Sequence, residues 1–126
     1  MSPIRRNSPA SCAEMKARQV AKIRELRQAL LAAGRETLDS QSQALGLSRS
    51  TTWSILKAHH KQSGLSASII GRMLAAPKLP PSARDKINEY IEEKISGLYG
   101  HNAKLRRSFE VKLTAYVSPS KRHQKS

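Results

Sequence analysis

The sequence predicts an all-α fold: a compact bundle of about five to six short helices between basic, flexible termini. Three observations predict it. Apolar residues recur at spacings of three and four through most of the chain. The segments that carry them begin at Ser or Asp and stop at Gly or Pro, as helices do. No stretch alternates apolar and polar residues convincingly; residues 111–117 are the sole strand candidate, and their alternation is weak. At 126 residues the chain is sized for one domain with one modest core. That domain is expected over 11–116, with a basic arm at 1–10 and a disordered basic tail at 117–126.

The first helix is expected over 11–33. Ser11 stands three residues before Glu14, a capping-box spacing, and Gly34 supplies the stop. Ile23, Leu26, Leu30 and Ala33 form its apolar stripe, with Val20 and Leu31 beside them. The stripe spans only about two heptads, so packing on the core is preferred to a coiled-coil dimer seam. Asp39 is the candidate cap of a second helix that Gly46 breaks. Ser48 caps a third, running to about residue 59. A polar link at 61–64 follows, and Ser66 caps a fourth with Ile69, Ile70, Met73 and Leu74. Pro77, Pro80 and Pro81 make a turn, and Ser82 caps a fifth helix. Its Ile87, Ile91, Ile95 and Leu98, with Tyr90 adjacent, give the clearest amphipathic signal in the chain. Leu105, Phe109 and Leu113 suit a last, basic helix.

Residues 38–58 carry the parts of a helix-turn-helix in order. Gly46 sits at the turn, where a positive φ is cheap only for glycine. Leu45 and Leu47 flank it as core anchors, and small Ser42 lies one turn earlier, where two helices must approach. Thr52 and Ile55 face inward, with Leu56 beside them, leaving Arg49, Ser50, Trp53, Ser54 and Lys57 on the outer face. A second placement competes. GLSRSTTWSIL from Gly46 is echoed 18 residues later by GLSASIIGRML from Gly64. In that alternative the motif spans 50–76 and Arg72 points outward.

These positions define the expected contacts with DNA. Ser48 can hold a phosphate at a helix N-terminus. Arg49 can bond guanine O6 and N7 together, or make a phosphate contact only. Ser50 and Ser54 suit bases, phosphates or plain solvent. Trp53, the single Trp, can meet a thymine methyl on the outer face or serve as a core aromatic, and burial is the preferred reading. Lys57 suits a phosphate or solvent. Lys104, Arg106 and Arg107 suit sequence-independent phosphate contacts.

LGLSRSTTWSIL resembles the turn and recognition helix of bacterial helix-turn-helix repressors. LPPSARDKINEYIEEKISGLYG resembles the helix that follows the motif in lactose-repressor-type DNA-binding domains, and LYGHNAKLRR is similar to that family's run toward its hinge. The resemblance covers roughly half of the chain. It implies a small bacterial DNA-binding regulator of transcription, with dimers that read paired half-sites. Gln41 and Thr52 depart from it, standing where apolar residues are usual. In the alternative placement His59, His60 and Ser63 depart instead. No sugar-binding domain follows, so that family's regulatory logic does not carry over.

Charge and composition set the partner class. Lys and Arg number 23 against 9 Asp and Glu, a net charge of +14. Residues 1–37 hold eight basic and three acidic side chains, and residues 99–126 hold seven and one. Basic ends around a balanced middle suit a polyanion, here double-stranded DNA. Single Cys12 forms no internal disulfide, no apolar run nears the ~18 residues of a membrane span, and the N-terminus reads as no secretory signal. A cytoplasmic, nucleoid-associated location is expected. No enzyme is expected either: there is no nucleophile elbow and no phosphate loop, and four of the nine carboxylates lie together in 85–93 on a solvated helix face. His59 and His60 are adjacent, about 100° apart on a helix, and cannot grip one metal. No metal, cofactor or small-molecule ligand is expected. Aromatic residues, at 4%, are too few for a base-stacking RNA platform. Two further readings stay open: an antitoxin-like or mobile-element accessory protein acting through protein contacts, and a non-specific nucleic-acid binder.

Overall fold

The computed structural model describes residues 12–56 and 64–117. The expected arm at 1–10, Ser11, the link at 61–63, Lys57, His59, His60 and the tail from 118 lie outside the described residues. Among the described residues six helices follow in order: α1 (Cys12–Ala32), α2 (Leu38–Leu45), α3 (Arg49–Leu56), α4 (Ala67–Ala75), α5 (Pro81–Ile95) and α6 (Ala103–Val117). No strand occurs among the described residues, and 111–117 continue α6. The all-α expectation is met.

Helix α1 leans on α5, and α4 is the keystone, touching α2, α5 and α6. The α1 stripe is Gln19, Ile23, Leu26 and Leu30. It sits one turn earlier than the sequence pattern suggests: Ala33 is exposed, as is Val20, and Gln19 takes the first inward position. Gln19 is tolerated there because it accepts a 2.5 Å hydrogen bond from the Tyr90 hydroxyl. At the rim of the same interface Lys22 bonds Glu25 (3.0 Å) and Glu89 (2.8 Å) and lies 3.5 Å from Glu93. Partial burial alone would lower the Lys22 pKa, but these carboxylates raise it overall and hold Glu25 and Glu89 low.

Two helix starts differ from the sequence reading. Thr37, not Asp39, caps α2: its Oγ1 accepts from Ser40 N at 3.1 Å, and the Ser40 hydroxyl accepts from Thr37 N at 3.2 Å. This reciprocal box leaves Asp39 in the first turn, where the helix dipole favours a carboxylate. For α5, Pro80 is the cap residue and Pro81 the first helical residue, so Ser82 caps nothing. A proline loses no hydrogen bond at that position, because its missing N–H would be unpaired there anyway. Along α5, Ile87 and Tyr90 are buried and Ile91 and Ile95 half-buried, whereas Leu98 falls past the helix end and is exposed. In α6 Phe109 and Leu113 are buried and Leu105 is exposed.

Polar groups inside the core secure the entry to α4. Leu65 N donates to the Tyr90 hydroxyl at 2.8 Å, and Lys94 Nζ donates to Leu65 O at 2.7 Å. Lys94 is buried, with its ammonium 4.4 Å from the Phe109 ring centroid, and burial pushes its pKa down to about 8. One residue of backbone is thus gripped at both its N–H and its C=O.

Candidate nucleic-acid interface

The α2–turn–α3 unit pairs two short helices across a glycine turn. Gly46 ends α2 at φ +70°, the left-handed region, and Leu47 N donates back to Ser42 O at 3.1 Å. A Cβ at Gly46 would stand 3.0 Å from Ala76 Cβ and 3.5 Å from Arg72 O, so the turn is pressed against the end of α4. Leu45 and Leu47 are buried on either side as anchors. Ser42 is buried where the two helices close, and its hydroxyl donates to Asp39 O at 2.9 Å. Gln41 is accommodated by donating from Nε2 to Arg35 O at 3.0 Å.

Ser48 then caps helix α3 from just before it, its Oγ accepting from Thr51 N at 3.2 Å. Thr52 and Ile55 face inward and are buried, as the spacing predicts. Arg49, Ser50, Trp53 and Ser54 are all exposed on the opposite side. Trp53 is the correction here: it is 50% exposed rather than a core aromatic. The interior is already filled under α3 by Thr52 and Ile55, and among the described residues no other element covers the far side. Lys57, the last expected member of this face, lies outside the described residues.

The alternative recognition helix is differently placed. Ser66 caps α4 as expected, accepting from Ile69 N at 3.2 Å. Yet Ala67, Ile70, Gly71 and Met73 are buried, and only Arg72 and Ala75 are exposed along the helix. Helix α6 crosses so close that a Cβ on Gly71 would stand 2.7 Å from Tyr116 Cβ. The residues of the 50–76 placement therefore offer no continuous free ridge at α4. Arg72 nonetheless adjoins the Gly46 turn through its backbone.

The basic residues of α6 divide into two roles. Lys104 and Arg107 are exposed and, with Ser108, Val111 and Lys112, line a shallow concavity of about 310 Å³. Lys112 was not singled out from sequence, although it falls eight residues after Lys104 on the same helical face. Arg106, also expected as a phosphate contact, has a structural bond as well. It is half-buried, and its Nη1 donates to Ile95 O at 3.1 Å, closing the end of α5 over Gly97. Asp39 was read only as a cap, but it forms a 2.7 Å ion pair with Arg49 Nε across the two helices.

Among the described residues, no three His, Cys, Asp or Glu side chains are grouped to hold a metal, and no helix is long and apolar enough to cross a membrane. No family model matches the chain, and neither a curated protein nor a solved structure matches it.

Proposed function

We propose that this chain is a sequence-specific DNA-binding protein, a regulator of transcription of the bacterial helix-turn-helix kind, and not an enzyme. One observation carries the proposal. Following a glycine turn, α3 presents Arg49, Ser50, Trp53 and Ser54 to solvent over a buried underside of Thr52 and Ile55, on a chain of net charge +14. An eight-residue ridge of this kind fits the major groove, where side chains of its first turns meet base edges. Lys104, Arg107 and Lys112 supply charge for phosphates, which fix position but carry no sequence information. Two copies reading paired half-sites complete the proposal.

The test is binding of the whole chain to labelled duplex DNA across a salt series. With about five phosphates contacted, log affinity falls against log salt with a slope of about −4 to −5. A selected site should also outcompete excess random duplex. Failure to bind any duplex at low salt overturns the proposal. The 50% exposure of Trp53 favours a second reading, a protein partner seated on α3. A stoichiometric protein retained by the chain, with no DNA held and the retention abolished by Trp53→Ala, would replace DNA by that partner.

A further inference from the structure

We propose that Asp39 is a positioning residue for base reading: its carboxylate holds Arg49 so that the guanidinium recognises a guanine. The inference rests on the DNA-reading role proposed above and adds the base that is read and the residue that sets it. Arg49 is the first residue of α3, and Asp39 lies in the first turn of α2. The Gly46 turn brings these two helix starts together, and Arg49 Nε meets Asp39 Oδ1 at 2.7 Å. Both side chains remain about two-thirds exposed, so the pair stands at the surface rather than within the core.

The chemistry follows from the shape of the guanidinium. Its five N–H donors are fixed in one plane, and the Asp39 carboxylate stands as an ion-pair partner beside the Nε end of that plane. The far end carries N–H bonds on both terminal nitrogens, a parallel pair that matches O6 and N7 of guanine. A long arginine free in solvent samples many rotamers, and ordering it costs affinity when it binds a base. An anchor at Nε removes much of that disorder beforehand. The backbone that carries the anchor is held in place. Asp39 sits between Thr37 and Ser40, which cap each other reciprocally, and its carbonyl accepts from the Ser42 hydroxyl at 2.9 Å. As an ion pair alone, such an exposed contact contributes little to stability. Its value is therefore in aiming Arg49, and a negative charge that close to DNA is otherwise unfavourable.

The experiment selects bound fragments from a random duplex pool with the wild-type chain, Asp39→Asn, Arg49→Ala, Arg49→Lys and the Asp39→Asn/Arg49→Ala double variant. Melting temperatures are compared first, and all five should agree closely because both positions are exposed. The wild type should select sites with a fixed guanine. Arg49→Ala and Arg49→Lys should lose that preference by roughly 5- to 150-fold. Asp39→Asn should lose most of the same preference while its affinity for random duplex holds or rises. In the Arg49→Ala background Asp39→Asn should change discrimination no further. Retained guanine preference in Asp39→Asn, or an equal effect of that change with and without Arg49, overturns the inference. A wild type that binds duplex without base preference overturns it and leaves DNA binding standing; one that binds no duplex overturns both.

Discussion

Replacing Gly64 by Ala tests the arrangement that secures the entry to α4. Gly64 has φ +71°, and a Cβ there would collide with Gln19 Oε1 and the Tyr90 hydroxyl. Two costs add. A side chain in the left-handed region costs roughly 1–2 kcal/mol. The collision also forces apart the Leu65 N to Tyr90 hydroxyl bond of 2.8 Å and the Tyr90 to Gln19 bond of 2.5 Å, both buried. A buried donor left unpaired costs about 1–3 kcal/mol. The total is roughly 2–5 kcal/mol, a large share of the 5–15 kcal/mol that small domains possess. Gly34→Ala is the matched control: its φ is +87° but nothing lies within 4 Å of the new Cβ, so it should cost about 1–2 kcal/mol, the strain alone. Urea denaturation followed by helical circular dichroism measures both. Equal losses in the two variants would refute the claim that Gln19 and Tyr90 lock the entry to α4.

Three further outcomes are expected. Thr52 is fully buried and its Oγ1 has no hydrogen-bond partner among the described residues, so Thr52→Val should stabilise by about 1 kcal/mol in the same urea assay. Stability should rise with pH from about 8 toward 10, because the unfolded chain there keeps a Lys94 proton that the folded chain has released. It should fall above 10, where unfolding frees Tyr90 and Tyr99, whose buried hydroxyls hold their protons beyond their ordinary value of 10.0; Lys94→Met should abolish only the rise. Lys104→Ala/Arg107→Ala/Lys112→Ala should make the salt slope of duplex binding shallower by up to about 3 with base preference unchanged, and an unaltered slope would remove α6 from the interface.

Much of this architecture is legible in the amino-acid order. The spacing of Thr52 and Ile55, the stop at Gly46 and the caps Ser48 and Ser66 all place residues where the structure has them. What escapes the sequence is settled between distant segments. Gln41 is buried because a carbonyl of the preceding loop, Arg35 O, awaits its amide. Lys94 is buried because Leu65 O, 29 residues away, receives its ammonium. Local hydropathy marks both as surface residues. Trp53 misleads in the other direction, since its apolar character suggests a core that Thr52 and Ile55 have already closed. The Asp39–Arg49 pair joins residues ten apart across a turn, and only the turn's geometry shows that they meet.

The repeated Gly-Leu-Ser text is more informative than a contest between two recognition helices. Both copies fold alike. Gly46 and Gly64 have φ of +70° and +71°, Leu47 and Leu65 are buried, and Ser48 and Ser66 each cap the next helix through an N–H three residues on. Thr52 corresponds to Ile70 and Ile55 to Met73, and all four point inward. The copies part on the outer face. Arg49 and Trp53 on α3 correspond to Ala67 and Gly71 on α4, and these small residues admit α6, with Tyr116 lying directly over Gly71. One unit is thus shaped to be covered by its own chain, and the other keeps large, polar or aromatic groups that no described residue covers. Burying Ala and Gly under α6 supplies core to a small domain, whereas half of Trp53 stays outside it. Half-exposed Trp53 is what distinguishes the outer face of α3 from that of α4, where Gly71 stands in its place.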